Sequence, residues 1–241
     1  MQPTVSIAIE TSSREGGIAL GRGDTLIASL RFDATQRHAV RLVARLDEML
    51  AAHGLTARDV RELYISIGPG SFTGLRVGVT VARTMAQVVP HLQCVAVPTL
   101  NVIAQNAAGL DFENLSVVLD AKDQIVYAAR FGRDPAASAD APGRIVPISE
   151  PELVPLQDFL AALPRPAVVI GEATQYLPIA GPGITVGPAE SIYPRPEALW
   201  HLGRSMAAAG QFTDYHLLQP LYLRKPEAVR LWEQRQQTQK A

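Results

Sequence analysis

The sequence predicts an α/β protein of two lobes, each built from three strands followed by a helix, a strand and a second helix. Short apolar strand patterns alternate with longer stretches of helical periodicity along most of the chain. A strand ending in an acidic residue, a polar turn and a returning strand occur at residues 5–20 and again at residues 115–131. This echo indicates duplicated βββαβα units and predicts lobes of residues 1–108 and 109–241, with a last helix that can cross back to the first lobe.

The first lobe follows from alternating strand and helix patterns. Apolar residues recur at helical spacing from Ala39 to Leu50, and Gly54 is typical of a helix stop. Pro90 ends the second helix because its ring fits only the first turn of a helix. The expected strands are residues 5–10, 18–20, 26–32, 63–67 and 92–97, and the expected helices are residues 37–53, 74–89 and 98–108.

The second lobe is predicted to hold strands at residues 115–120, 125–131 and 167–170, a helix at 197–209, and exposed loops at 132–150 and 178–196. Two such units are typical of the actin-like ATPase (ASKHA) fold, in which two lobes face each other across a nucleotide cleft. In that fold the acidic residue at the end of the first strand acts through a metal ion and water. Glu10 occupies that position, and the turn after it is the one expected to touch phosphates.

A glycine-rich turn that runs into a helix is the most informative motif, with the sequence IGPGSFTGLRVG at residues 67–78. Its backbone N–H groups would lie at the positive end of the helix dipole, which can hold a phosphate. The motif lacks the lysine of a Walker A loop and the glycine spacing of a dinucleotide fingerprint. Serine and threonine are also ordinary caps, and Thr73 is expected to cap the helix. The candidate phosphate-binding residues are Glu10, Thr11, Ser12, Gly68, Gly70, Ser71 and Thr73.

The same helix carries a row of small residues at four-residue spacing: Gly74, Gly78, Ala82 and Ala86. Such a row lets another backbone come unusually close. It could pack on the protein's own sheet, but its length favours a close contact between helices. The partner helix could be the preceding one, one from a second copy of the chain, or one from another protein.

Composition excludes several classes of function. The chain of 241 residues has 22 Lys and Arg against 23 Asp and Glu, so no global field draws it to nucleic acid or membrane. Its single cysteine, Cys94, excludes an internal disulfide and suits a reducing compartment. The start lacks a signal-peptide pattern and no apolar run spans a bilayer, so a cytoplasmic location is expected. The basic stretch after Leu221 is interpreted as a solvated helix end rather than an RNA contact.

Four segments resemble the TsaB (YeaZ) family: IAIETS at residues 7–12, SIGPGSFTGLRVG at 66–78, DAK at 120–122 and PLYLR at 220–224. The resemblance implies a protein that takes part in making threonylcarbamoyladenosine on tRNA. It implies a non-catalytic partner of TsaD, a catalytic paralog of the same fold, in a complex that the ATPase TsaE joins. It also implies no required cofactor and only indirect or weak contact with tRNA. Weak ATP or ADP binding between the lobes, and a homodimer in the absence of the partner, are left open by the sequence.

The catalytic paralog has a similar glycine motif, so its metal ligands make the distinction. TsaD carries two histidines four residues apart, and alignment on the preceding strand places Thr99 and Ile103 at those positions. Neither side chain replaces an imidazole at a metal, so no metal site and no catalytic residue are expected. The chain also departs from the family at Glu10, where Asp is more common, and at Ile125, where Glu is common.

The resemblance implies that TsaD docks on the helices at residues 37–53 and 74–89. Replacing Gly78 by leucine is expected to block this association and leave the fold intact. Two other activities are alternatives. A small-molecule kinase or ATPase of the same fold is the main alternative, and Gly171 is the one hint of an adenosine site. A metalloprotease is disfavoured because the chain has no His-Glu-x-x-His motif. The predicted interface residues are Leu42, Leu46, Gly74, Arg76, Gly78, Ala82 and Met85.

Overall fold

A computed structural model of the protein describes residues 3–33, 38–134 and 145–224, and two β-sheets form its framework. The first sheet has five strands in the order β3-β2-β1-β4-β5. Strands β1, β2 and β3 form an antiparallel meander, whereas β4 and β5 run parallel to β1. The elements of this part are β1 (Val5–Glu10), β2 (Glu15–Arg22), β3 (Thr25–Asp33), α1 (His38–Ala52), β4 (Val60–Gly68), α2 (Phe72–Val88), β5 (Gln93–Pro98) and α3 (Thr99–Ala104).

The second sheet repeats this order in a reduced form. Its elements are β6 (Asn114–Asp120), β7 (Ile125–Arg133), β8 (Ile145–Pro147), β9 (Glu152–Pro155), α4 (Leu156–Ala162), β10 (Ala167–Ile170), β11 (Ile184–Val186) and α5 (Pro196–Ala208). The sheet order is β11-β10-β6-β7-β8, and β9 pairs with β7. Two short strands stand where the first lobe has β3, and a single 3-10 turn at Glu172–Gln175 stands where it has α2.

Three predictions for the second lobe need correction. The segments predicted as loops contain β8 and β11, and α4 was not predicted at all. Each of these elements is seven residues or shorter, so its apolar pattern is too brief to distinguish from a loop. Much of the predicted loop 132–150, and most of the basic stretch after Leu221, lie outside the described residues.

Each sheet buries both faces. On one face of the first sheet, Ile7 and Ile9 pack with residues of α1 and α2; on the other, Ala8 packs with α5. This alternation follows from the two-residue side-chain period of a strand. In the second sheet α3 covers one face and α4 the other. Within the described ranges, no helix combines the length and the apolar composition that crossing a bilayer requires.

Helix α5 follows the second sheet in sequence but packs on the first. The indole of Trp200 is fully buried and its Nε1 donates a hydrogen bond to Ser6 Oγ at 2.8 Å. The ring lies over Gly21, where an added Cβ would come within 2.1 Å of it. Residues 108 and 109, the predicted lobe boundary, lie between α3 and β6, and the division into lobes at this point stays a prediction.

Two chain segments cross between the lobes side by side. The first is α3 with the turn that follows it, and the second is residues 189–196. The amide of Asn106 joins them, because its Nδ2 donates to the carbonyl of Ser191 at 3.2 Å and to that of Tyr193 at 2.8 Å. Val102 of α3 belongs to the core under α5, whereas Ile103 belongs to the core of the second sheet. The crossing therefore ties the two cores together.

Candidate functional site between the lobes

The glycine-rich turn is closed by the chain's own backbone. Gly68 and Gly70 have φ of 110° and 156°, a region that side chains disfavour. The backbone N–H of Ser71 donates to the carbonyl of Ser12 at 2.6 Å. A Cβ on Gly70 would lie 2.2 Å from that same carbonyl oxygen. The turn after β1 thus fills the space that the glycines leave open.

Ser71, not Thr73, caps helix α2. Its Oγ accepts a hydrogen bond from the backbone N–H of Gly74 at 3.3 Å, and the side chain of Thr73 is exposed. The prediction of a Thr73 cap is therefore wrong. The helix begins at Phe72, two residues earlier than the cap prediction required, so Thr73 already lies in the first turn.

Glu10 is sealed inside the protein. Its Oε1 accepts from the backbone N–H of Ser12 at 2.7 Å and from Ser12 Oγ at 2.5 Å. Burial raises the pKa of this carboxyl group, and the hydrogen bonds from Ser12 oppose that rise. Glu10 Oε2 and Thr11 Oγ1 are buried, and neither has a hydrogen-bond partner among the described residues. An ionised oxygen in that position is costly, which favours the protonated form.

The seven candidate phosphate-binding residues consequently separate into two groups. Ser12, Gly70 and Ser71 line a cavity of about 330 Å³ between the lobes. Glu10 and Thr11 are buried behind it, with exposures of 0% and 1%. Gly68 is buried under Leu75, and Thr73 is exposed but does not line the cavity. Direct contact with a ligand in this cavity is therefore withdrawn for Glu10, Thr11, Gly68 and Thr73.

Charges of both signs line this cleft. Arg14 comes from the turn after β1, and Lys122 from the turn after β6. Asp120 and Glu172 face the same space from the second lobe. Burial raises the pKa of Glu172, with the charge of Arg14 acting in the opposite direction. Two cations and two acids leave the wall without the positive excess that a polyphosphate favours.

Sequence reasoning did not single out Arg14 or Glu172 as cleft residues. Arg14 belongs to a turn in which Ser12 is the phosphate-binding candidate, and Glu172 follows Gly171, the one hint of an adenosine site in the sequence. Gly171 has φ of 109° and its Cβ position lies 2.3 Å from the carbonyl of Val118. This glycine permits close packing on β6, which explains its presence without a nucleotide.

The small-residue row of α2 faces the chain's own sheet. A Cβ on Gly74 would lie 1.9 Å from the carbonyl oxygen of Thr11, and one on Gly78 would lie 2.3 Å from Thr11 Oγ1. Leu42 and Leu46 of α1 are 1% and 4% exposed in the same core. Five predicted interface residues are buried inside the protein and are therefore removed from the predicted interface: Leu42, Leu46, Gly74, Gly78 and Ala82.

Two of the predicted interface residues keep accessible surface. Arg76 is exposed and Met85 is partly buried. The guanidinium carbon of Arg76 lies 4.1 Å from the centre of the Phe72 ring. The outward side of α2 is instead formed by Phe72, Arg76, Thr80, Thr84 and Val88. On α1, Val43 is 55% exposed.

The two positions that correspond to the metal-binding histidines, Thr99 and Ile103, line the cleft and also make interior contacts. Thr99 Oγ1 lies 3.0 Å from Ser66 Oγ, and both side chains are fully buried. Ile103 is buried in the core of the second sheet. Across the described residues, no three His, Cys, Asp or Glu side chains come close enough together to hold a metal ion.

The fold and this site define a two-lobed protein of the actin-like ATPase class, and comparison with known proteins narrows it further. A family model described as "TsaD: tRNA N6-adenosine threonylcarbamoyltransferase" matches residues 32–173. The tRNA threonylcarbamoyladenosine biosynthesis protein TsaB of Bacillus subtilis is 32% identical over 232 residues, 94% of this chain and 96% of that protein. TsaB of Escherichia coli is 26% identical over 221 residues, 90% and 94% of the two chains. The chain belongs to the TsaB (YeaZ) family.

A solved structure supports the fold. YeaZ from Pseudomonas aeruginosa superposes with a TM-score of 0.74 at 21% identity, covering 91% of this chain and 100% of that one. The predicted two-lobed actin-like fold and the predicted family are both confirmed.

The close packing of α2 on the turn after β1 predicts a large cost for a single methyl group. Gly74→Ala places its Cβ against the backbone carbonyl of Thr11, which cannot rotate away. We expect a loss of about 1–3 kcal/mol in the free energy of unfolding, despite the better helix propensity of alanine. Urea denaturation measures it. Gly109→Ala is the matched control, because nothing lies within 4 Å of its Cβ position and its φ is not positive. Equal stabilities of the two variants would contradict the packing.

By the same geometry, Gly78→Leu should destabilise the monomer itself, contrary to the expectation from sequence.

The buried Glu10 carboxyl predicts a specific pH dependence. A carboxyl whose pKa is raised in the folded state binds its proton more tightly there than in the unfolded chain. Its contribution to stability is therefore present at low pH and is lost as pH rises through the folded-state pKa. Glu10→Gln removes this titration with little change in shape. We expect the variant to gain stability relative to the parent as pH rises above the ordinary carboxyl range, measured as urea unfolding free energies at a series of pH values. Parallel pH profiles would show that Glu10 is ionised in the fold.

Proposed function

We propose that this chain is a non-catalytic scaffold and activating subunit in the synthesis of threonylcarbamoyladenosine on tRNA. The observation that carries the proposal is its similarity, over nearly the full length of both chains, to proteins named for that pathway. In this role the chain binds a TsaD-like catalytic paralog and supports association of a TsaE-like ATPase. Because the modification that the chain is proposed to support takes place on tRNA, we place the protein in the cytoplasm.

The assignment as a non-catalytic subunit is supported by how the cleft is built. The groups best placed for chemistry, Glu10 and Thr99, are fully buried and hydrogen-bonded to neighbouring serines. Ile103 fills the second position at which the catalytic paralog is expected to hold a histidine. In this proposal the lobes retain the fold, and the partner supplies the reacting groups.

The outward side of α1 and α2 is the surface we assign to the catalytic partner. Threonines 80 and 84 are small and exposed, so a facing helix can approach them closely. Exposed valines are present on both helices, since Val43 of α1 and Val88 of α2 are 55% and 69% exposed. Phe72 with Arg76 adds an aromatic and arginine pair at the start of α2, a composition enriched at interface hot spots. The same surface would pair two copies of the chain when the partner is missing.

Docking on this surface can be tested by mutation. Thr84→Arg places a long charged side chain in the outward row of α2 without touching the core. We expect it to weaken binding of the co-expressed TsaD-like paralog by about tenfold or more, equivalent to about 1.4 kcal/mol, and to lower tRNA modification in a reconstituted reaction. Titration by light scattering or calorimetry measures the affinity.

Val186→Arg is the matched control, because Val186 is 44% exposed on β11, away from both helices. It should bind the paralog normally. Normal binding by Thr84→Arg would remove α2 from the interface. Full tRNA modification without this chain would overturn the proposed function itself.

Nucleotide binding in the cleft stays a proposal, with no cofactor required for the scaffold role. The balanced charges of the wall and the sealed Glu10 support weak binding only. Calorimetry with ATP and Mg²⁺ should therefore give a dissociation constant of about a millimolar or weaker and no hydrolysis. Tight binding with turnover would favour the alternative, a small-molecule kinase or ATPase of the same fold.

A further inference from the structure

After α5 the chain returns along the first lobe as a strap, residues 213–224. The strap begins at the open edge of the first sheet, where the backbone N–H of Thr213 donates to the carbonyl of Cys94 at 2.7 Å. Leu218 is buried in the core below α2, with 1% exposure. The backbone N–H of Leu221 then donates to the carbonyl of Ile67 at 2.7 Å, beside the glycine-rich turn. These contacts fix the strap to the first lobe.

The end of the strap packs on the start of α2. The Tyr222 ring lies 5.3 Å from the Phe72 ring, centre to centre. Arg76 Nε donates to the Tyr222 hydroxyl at 3.3 Å. Aromatic contacts of this kind add to the energy of burial. The strap is therefore held on the first lobe at several points as far as Tyr222.

Arg224 leaves the first lobe and reaches the second. Its Nη2 donates to Asp123 Oδ2 at 2.7 Å, and the arginine side chain is only 14% exposed. Tyr127 lines the cleft nearby. Burial raises the pKa of Tyr127, and the positive charge of the Arg224 guanidinium opposes that rise. An ion pair with one largely buried partner is better placed to hold a geometry than a fully exposed pair.

The turn that presents Asp123 has an unusual backbone. Lys122, Asp123 and Gln124 have φ of 66°, 58° and 60°, so three successive residues other than glycine are left-handed. This conformation is unfavourable for L-residues and persists only where surrounding contacts determine it. The backbone N–H of Lys122 donates to Asp120 Oδ1 at 2.8 Å, which helps to hold the turn. The turn forms part of the cleft wall, since Lys122 lines the cavity.

Within the described residues the two lobes are joined by their covalent crossings and by non-covalent contacts, one of which is a hydrogen bond from Arg14 Nη1 of the first lobe to the Tyr176 hydroxyl of the second at 3.4 Å. The covalent crossings at α3 and residues 189–196 are tied by Asn106 and can act as a hinge. The ion pair between Arg224 and Asp123 is a non-covalent connection at another part of the cleft wall. We infer that the strap is an inter-lobe latch: it is seated on the first lobe and holds the cleft at its present width through Arg224 and Asp123. The latch would act whichever partner or ligand the protein binds.

Distance measurements between spin labels test the latch on the full chain. Ala51 of α1 and Gln157 of α4 are exposed on helices of different lobes, so cysteines at these positions report lobe separation. Cys94 is 2% exposed and burial raises the pKa of its thiol to about 11, so it resists labelling. Arg224→Gln should raise the fraction of longer distances about two- to fivefold, the ratio that one such ion pair supplies. Asp123→Asn, which suits a left-handed position, should produce the same change.

Three further measurements identify the cause. The double variant Arg224→Gln with Asp123→Asn should match the single variants, because both remove the same interaction. Arg224→Lys should retain a shorter distribution than Arg224→Gln. Arg45→Gln breaks an ion pair with Glu48 inside α1 and should leave the distances unchanged. Unchanged distances in both Arg224→Gln and Asp123→Asn, with normal circular dichroism, would overturn the latch. Equal broadening in Arg45→Gln would overturn it as well.

Discussion

The contact on which this structure depends is the close approach of α2 to the turn after β1. It is possible only because Gly70 and Gly74 have no side chains, and the carbonyls of Ser12 and Thr11 occupy the space. That single arrangement has three consequences. It directs the small row of α2 into the protein, it places Glu10 behind a closed wall, and it leaves Ser71 to cap the helix. A motif that resembles a phosphate cradle in sequence is therefore filled by the protein's own backbone.

Sequence reasoning predicted the first lobe well, because its strands and helices are long enough to show their period. Helices α1 and α2 and strands β1, β4 and β5 were all expected within a few residues. The second lobe was harder, since α4, β8 and β11 are short and their apolar patterns resemble loops. The glycine motif was recognised, yet which side of α2 faces inward could not be read from it. Gly74 and Gly78 are compatible with a close contact to any backbone, and only the folded chain shows that the backbone belongs to Thr11.

The residues that sequence reasoning missed are joined to the site by tertiary contacts rather than by motifs. Arg14 and Glu172 lie in the same cleft although 157 intervening positions separate them in the chain, and no local pattern links them. The segment PLYLR at residues 220–224 was recognised as a family mark, but its contacts could not be deduced. Its role depends on Ile67, Phe72 and Asp123, three residues far from it in sequence. Such long-range pairings are the part of a fold that a single sequence specifies least directly.

The chain's polar groups divide between two tasks, and the division supports a scaffold. Glu10, Ser66 and Thr99 lie at the carboxyl ends of β1, β4 and β5, where ligands usually bind in parallel sheets. Here Glu10 Oε1 accepts hydrogen bonds from Ser12, and Ser66 Oγ lies beside Thr99 Oγ1, so these atoms are engaged by neighbours within the fold, whereas Glu10 Oε2 is buried without a partner among the described residues. The outward row of α2 is exposed instead, because the side chains of Thr80, Thr84 and Val88 do not lie in the core. The buried polar groups and the exposed row on α2 both agree with the proposed scaffold role.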